Sequence, residues 1–255
     1  MQPFTIVSGP AIPFMRANVD TDVIVRIERL TSLPKDRLGP FAFESLRYQP
    51  DGSADPACLL NDPRFLNAPF LLAADNFGCG SSREGAVWAL MGLGVRAVIA
   101  PSYGDIFFSN CFQNGVLPIR LPLDRIEALA AHCAGGEPLT IDLKAQAIRT
   151  NDGASIPFDV DLARREALLN GLDDIGLTLR DDALIRAWQE RDRARRPWAW
   201  RPVGLGRRNV PRIHQPSTQG DSQCPPSTLP ATPDAPSMSS SEAGSPWCRT
   251  RPVTR

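Results

Sequence analysis

A chain of 255 residues with 42% hydrophobic and 22% charged side chains, and 28 basic against 28 acidic residues, has the composition of a globular protein. The charge is uneven: residues 1–200 hold 21 basic and 25 acidic side chains, whereas the segment from Arg201 onward holds seven Arg and three acids. A mildly acidic body lacks the basic face that nucleic-acid binding needs, no 18-residue apolar run offers a membrane span, and no basic-then-apolar leader opens the chain, so the expected location is the cytoplasm.

The first elements read as strands and loops. FTIVSG suits a strand, and the Val/Ile-rich DVIVRI (Asp22–Ile27) reads as a buried one. Residues 33–69, rich in Pro, Asp and Asn, read as a long irregular excursion with one short helix around Phe41–Arg47. PFLLAA (Pro69–Ala74) is the next strand. A glycine loop follows, then a helix over Arg83–Met91 ending near Gly92 and Gly94, and a strand at Arg96–Ala100, which together make a βαβ unit.

GDIFFSNCFQN reads as a short helix stopped by Gly115, and VLPIRL as a strand. Leu123–Cys133 is an amphipathic helix, with Ile126, Leu129, Ala130 and Cys133 on one face. LTIDL alternates as a strand, and AIRT and ASIPF flank a hairpin turn at Asn151–Gly153. Helices close the body at Asp161–Asn170, with Gly171 as its stop, and at Asp181–Arg193. From Arg201 the Pro-, Ser- and Thr-rich text has no period and too few apolar residues to offset chain entropy, so residues 201–255 are expected to be a disordered tail behind a single domain at 1–200. The fold class is mixed α/β with βαβ units and β hairpins.

Six cysteines occur without a Cys-x-x-Cys pair, so spacing suggests neither a zinc site nor an iron–sulfur cluster in this chain, and reduced, mostly buried thiols are expected. His132 and His214 are the only histidines, which removes most metal-hydrolase and Ser–His chemistries.

The glycine loop Asn76–Gly85 (NFGCGSSREG) carries the chemistry. Ser81 and Glu84 have capping-box spacing before an apolar run, a purely structural use. That use leaves Gly78, Gly80, Ser82 and Arg83 without a reason. The dinucleotide fingerprint needs a glycine where Arg83 stands, the P-loop needs a lysine, and the nucleophile elbow fails at Glu84. Two further uses stay open. A glycine loop opening onto a helix N-terminus, with an Arg fork in the first turn, can bind a carboxylate or phosphate. The same N–H groups can stabilise a serine alkoxide acting as a base.

NFGCGSSREGAVWAL followed by VIAPSYGDIFFSNCFQNGVLPI resembles the swivel domain of the aconitase superfamily, and within it the isopropylmalate isomerase (3-isopropylmalate dehydratase) small-subunit family. ANVDTDVIV at Ala17–Val25 resembles the family's Asp-Thr-Asp motif, and LLNGLDDIGLTLR at Leu168–Arg180 its C-terminal one, so the likeness covers roughly Phe4 to Trp188 in order.

The resemblance implies an aconitase-type swivelling β/β/α domain and the dehydration and rehydration of isopropylmalate in leucine biosynthesis. It also implies a [4Fe–4S] cluster acting as Lewis acid on a large-subunit partner, in a heterodimer or higher assembly, with no cofactor bound by this chain. Ser81 matches the family's serine base, Ser82 and Arg83 match residues that hold a substrate carboxylate, and Asp22 matches a site-lining acid. Gly85 stands where many relatives carry His, and Arg26 replaces a usual Pro with Arg29 nearby, so Arg26 and Arg29 are candidate specificity residues. They open the alternative of a subunit of the same type serving another small dicarboxylate (a citraconate- or methylmalate-type hydratase), and a rival of another class is a non-catalytic anion-binding module that uses the glycine loop and has lost its partner.

Overall fold

Strand β1 (Ile6–Phe14) is shared by two different kinds of sheet in the computed structural model, which describes residues 1–200. The expected disordered tail lies outside the described residues. Helices α1 (Thr21–Ile24), α2 (Ile27–Ser32) and α3 (Glu44–Arg47) follow β1. The body continues through β2 (Phe70–Ala73), α4 (Gly85–Leu93), β3 (Ala97–Ala100), α5 (Asp105–Asn114) and β4 (Leu117–Arg120). Then come α6 (Leu123–Cys133), β5 (Pro138–Asp142), β6 (Ala147–Thr150), β7 (Ser155–Pro157), α7 (Leu162–Asn170), α8 (Asp174–Leu179) and α9 (Asp182–Arg195).

The seven strands form one sheet in the order β4-β3-β2-β1-β5-β6-β7. Ala11–Phe14 of β1 pair in parallel with β2, and β3 and β4 continue the parallel run; Ile6–Pro10 pair antiparallel with β5, and β6 and β7 follow as antiparallel neighbours. Each half of β1 is therefore bonded along one edge only. That is how a mid-sheet strand tolerates Pro10 and Pro13, which have no N–H to give.

Both faces of the parallel half are covered, and the side-chain alternation says by what. Leu71, Ala73, Val98 and Ala100 point into one apolar cluster with Ala86, Val87 and Leu90 of α4 and Phe107 and Cys111 of α5. Phe70, Leu72, Ala97 and Ile99 point into the other, with Ile126, Leu129, Ala130 and Cys133 of α6. All four strand residues of β2 and of β3 are buried, as near-continuous apolar runs in a parallel sheet require. Burial pushes the Cys111 thiol well above its usual pKa and that of Cys133 up to about 11, so these two cysteines act as packing groups, while Cys58 and Cys79 are half-buried free thiols.

The parallel core, α6 and the β6–β7 hairpin lie where periodicity places them, and Gly94, Gly115 and Gly171 hold the C-caps of α4, α5 and α7. Three expectations are corrected. Asp22–Ile27 is not a strand. Asp20 accepts hydrogen bonds from the backbone N–H of Asp22 and Val23 at 2.8 Å each, starting α1, and this cap outweighs the β preference of the Val/Ile run. The first strand runs on to Phe14. A further short helix, α8, starts where Asp173 Oδ1 accepts from Gly176 N at 2.7 Å. Among the described residues no helix is long and apolar enough to cross a membrane.

Candidate active site

The C-terminal ends of β1, β2 and β3 lie side by side, and the loops leaving them converge. That edge of a parallel sheet is where α/β folds place ligands. The β2 loop is laced to both neighbours by backbone bonds: Gly78 N–H donates to Val19 O (2.7 Å) and Thr21 N–H to Cys79 O (3.0 Å) on the β1 side. On the β3 side Phe77 N–H donates to Ser102 O (3.1 Å) and Gly104 N–H to Phe77 O (3.0 Å). Gly78 has φ +71°, and a Cβ there would lie 2.2–2.7 Å from the Phe107 ring. Its missing side chain lets the first turn of α5 descend onto the loop. Gly80 has φ +90° and passes close to Asp20.

Ser81 and Ser82 face the N-terminus of α5 across a hollow of about 290 Å³, with Gly104, Asp105 and Ile106 on its far wall. Intrahelical bonding in α5 begins at Phe108 N, which donates to Gly104 O at 2.9 Å, so the first-turn N–H groups open towards this side. The hollow thus meets the N-terminus of α5, and α4 follows the loop two residues later than expected. The reason is local: Arg83 N–H donates to Ser81 O at 2.9 Å, closing a three-residue turn around an exposed Ser82, and α4 starts only at Gly85.

The capping box does not form. Ser81 Oγ lies 2.8 Å from Thr21 Oγ1, which also donates to Ser81 O at 3.2 Å. The Glu84 carboxylate instead accepts from Asn114 Nδ2 at 2.7 Å, and no side-chain bond caps α4. Asn114, nearly buried at the end of α5, uses its Oδ1 to accept from Trp88 Nε1 (3.0 Å) and Lys35 Nζ (3.1 Å). This network fixes the serine turn from behind. Removing it by Asn114→Ala takes the partner from the half-buried Trp88 Nε1 and returns the exposed Glu84 carboxylate to water. The variant is expected to lose about 1–3 kcal/mol, read as a lower urea midpoint at unchanged m-value.

Arg83 and Asp22 are brought together as an ion pair that ties the β2 loop to α1. Both remain partly open to solvent, with side chains 28% and 53% exposed. Gly78, Gly80, Ser81 and Ser82 thus line one hollow, and the Arg83–Asp22 pair adjoins it through Ser82–Arg83 and Thr21–Asp22. The two specificity candidates part company. Arg29 is engaged by Glu44 through bonds of 2.9 and 2.5 Å and lies 4.1 Å over the Phe41 ring. The same bond holds the Glu44 carboxyl below its usual pKa. Arg26 is exposed, 3.4 Å from Glu28, on the wall of a hollow that Asp20 and Asp22 also line. A Cβ at Gly85 would lie 2.3 Å from Leu30 Cδ2, so a larger residue there requires the Leu30 side chain to shift. Thr21 and Asn114 are the site-building residues that sequence reasoning missed. Thr21 sat within a noticed motif, but its contact is 60 positions away.

Comparison with known proteins gives this surface its family. A family model described as Aconitase C-terminal domain matches residues 1–124, and one described as LeuD_N matches residues 127–161. A third, for the C-terminal domain of the 3-isopropylmalate dehydratase small subunit, matches residues 174–199. The chain is 50% identical over 201 residues to a 3-isopropylmalate dehydratase small subunit of Rhodospirillum centenum, covering 78% of this chain and 99% of that one. The chain belongs to the 3-isopropylmalate dehydratase small-subunit family. A small subunit of the same name from Cereibacter sphaeroides is 49% identical, over 78% of this chain and all of that one. A crystal structure of 3-isopropylmalate dehydratase from Methanocaldococcus jannaschii matches with a TM-score of 0.54 at 26% identity, over 72% of this chain and 99% of that one. The mixed sheet and its coverings are those of the aconitase-type fold of this family.

Proposed function

We propose that this chain is the small subunit of a heteromeric hydro-lyase that interconverts 2-isopropylmalate and 3-isopropylmalate by dehydration and rehydration, in leucine biosynthesis, and that it works only with a large subunit. The observation that carries this is that the Ser81–Ser82 hollow adjoins the partly exposed Arg83–Asp22 pair, in a chain that matches named small subunits along nearly their whole length. Ser81 is the base. It takes the proton from the carbon next to the one bearing hydroxyl, the C–H electrons become the double bond, and the hydroxyl departs; the reverse steps return water with the hydroxyl on the other carbon. Arg83 offers its planar fork to a substrate carboxylate, sharing it with Asp22, and the exposed Ser82 hydroxyl supports the same group. Gly78 and Gly80 keep the loop in the shape that presents these groups.

We assign the Lewis acid for the hydroxyl, a [4Fe–4S] cluster, to the large subunit. Among the described residues no three His, Cys, Asp or Glu side chains gather to hold a metal ion. The test is to co-express the chain with a matching large subunit without oxygen, and follow formation of unsaturated intermediate from isopropylmalate, citramalate and methylmalate. Isopropylmalate is expected to give the highest kcat/KM. No turnover of any substrate by a cluster-loaded complex would sink the enzyme reading, and preference for citramalate or methylmalate would move the substrate.

A further inference from the structure

Thr21 is 1% exposed, and its hydroxyl is within bonding distance of two oxygens of one residue: Ser81 Oγ at 2.8 Å and Ser81 O at 3.2 Å. A threonine hydroxyl has one proton and two lone pairs. With Ser81 protonated, every group is satisfied if Thr21 donates to the Ser81 carbonyl and Ser81 Oγ donates to Thr21. An alkoxide has no proton to give, so that same arrangement would leave two oxygens facing each other by lone pairs. Turning the Thr21 proton about Cβ–Oγ1 towards Ser81 Oγ removes the conflict. No heavy atom has to move, since both acceptors are already in reach. The backbone that carries Thr21 is held on both sides, by its own N–H bond to Cys79 O at 3.0 Å and by the Asp20 cap of α1.

We propose that Thr21 is a positioning residue whose hydroxyl passes from the Ser81 carbonyl to the Ser81 alkoxide, stabilising the deprotonated base. The inference rests on the reading of Ser81 as base. A hydrogen bond to a charged oxygen is stronger than one to a neutral carbonyl, so the bond strengthens at the moment the base forms. Aligning the serine lone pair is part of the same contact.

Steady-state kinetics of the enzyme assembled from the full chain and its large subunit test this. Thr21→Val keeps the shape and removes the hydroxyl. It is expected to lower kcat about 10- to 100-fold, the worth of one hydrogen bond to a charged group, with KM for isopropylmalate unchanged to about twofold. Thr21→Ser restores the donor and should recover kcat to within about threefold of the parent. With Ser81→Ala in the background, Thr21→Val should add no further loss, because the group it serves is gone. An active Ser81→Ala enzyme overturns the reading of the base itself, and this inference with it. If Ser81→Ala is inactive while Thr21→Val keeps its kcat, or if Thr21→Ser is no better than Thr21→Val, only the role of Thr21 is overturned. Should the valine variant not assemble, Thr21→Cys, with a weaker donor, decides: a parental kcat overturns the proposal and a loss short of the Ser81→Ala level supports it.

Discussion

Ser81→Ala, assembled with its large subunit, is expected to lose about 100- to 10,000-fold in kcat, the range that a positioned acid–base group supplies, while the chain folds and assembles as before. The structure sharpens the second half of that expectation. Had the Ser81 hydroxyl capped α4, its removal would weaken the helix by about 0.5–2 kcal/mol. Among the described residues it caps nothing and its one side-chain partner is Thr21, which keeps the Ser81 carbonyl as an acceptor after the change. The shift in stability should therefore stay below about 1 kcal/mol. Kinetics and a urea melt on the same preparation separate the two roles. Parental kcat removes Ser81 from the chemistry, and a large fall in midpoint without loss of kcat makes it a structural residue.

Gly78→Ala should damage the protein through the same loop by a different route. An L-residue at φ +71° costs about 1–2 kcal/mol. The new Cβ also lands 2.2–2.7 Å from the Phe107 ring, which is buried, with Phe77 edge-on at 5.5 Å and Tyr103 parallel at 6.5 Å between ring centroids. Overpacking of this kind costs about 1–3 kcal/mol, so the total is roughly 2–5 kcal/mol. Because Phe107 carries the first turn of α5, relief of the clash displaces the wall opposite Ser82. Activity measured where the variant is still fully folded is expected to fall as well. A midpoint within about 0.5 kcal/mol of the parent would show that the ring yields freely.

What could be read in the residues follows the range of the forces involved. The run from β2 to β4 was legible to within one or two residues because apolar runs, amphipathic spacing and glycine stops are all local. DVIVRI misled because its fate is decided by Asp20, whose carboxylate offers two backbone N–H groups a partner before any strand can pair with them. The capping box failed for the opposite reason. Its acid is claimed by Asn114, 30 positions away, and no local pattern announces that. The members of the site could be picked out singly, from the resemblance and from the awkwardness of the glycine loop. The Arg83–Asp22 and Thr21–Ser81 pairs, 61 and 60 positions apart, exist only after the three strand ends are brought together. The Arg29–Glu44 pair, 15 positions apart, was likewise announced by no local pattern.

The divided strand β1 also has a consequence in time. It is made before either strand it pairs with, and its two halves complete their pairing at very different moments: Ala11–Phe14 can pair once Phe70–Ala73 has been made, but Ile6–Pro10 must wait for Pro138–Asp142. At about 5–20 residues per second that difference is several seconds of synthesis. During it the parallel half and its helices can condense while a short β edge stays open. An open edge invites pairing with a neighbouring chain. Pro10 at the junction and Gly9 beside it make that edge a poor template, so residues that weaken the finished strand protect the unfinished one.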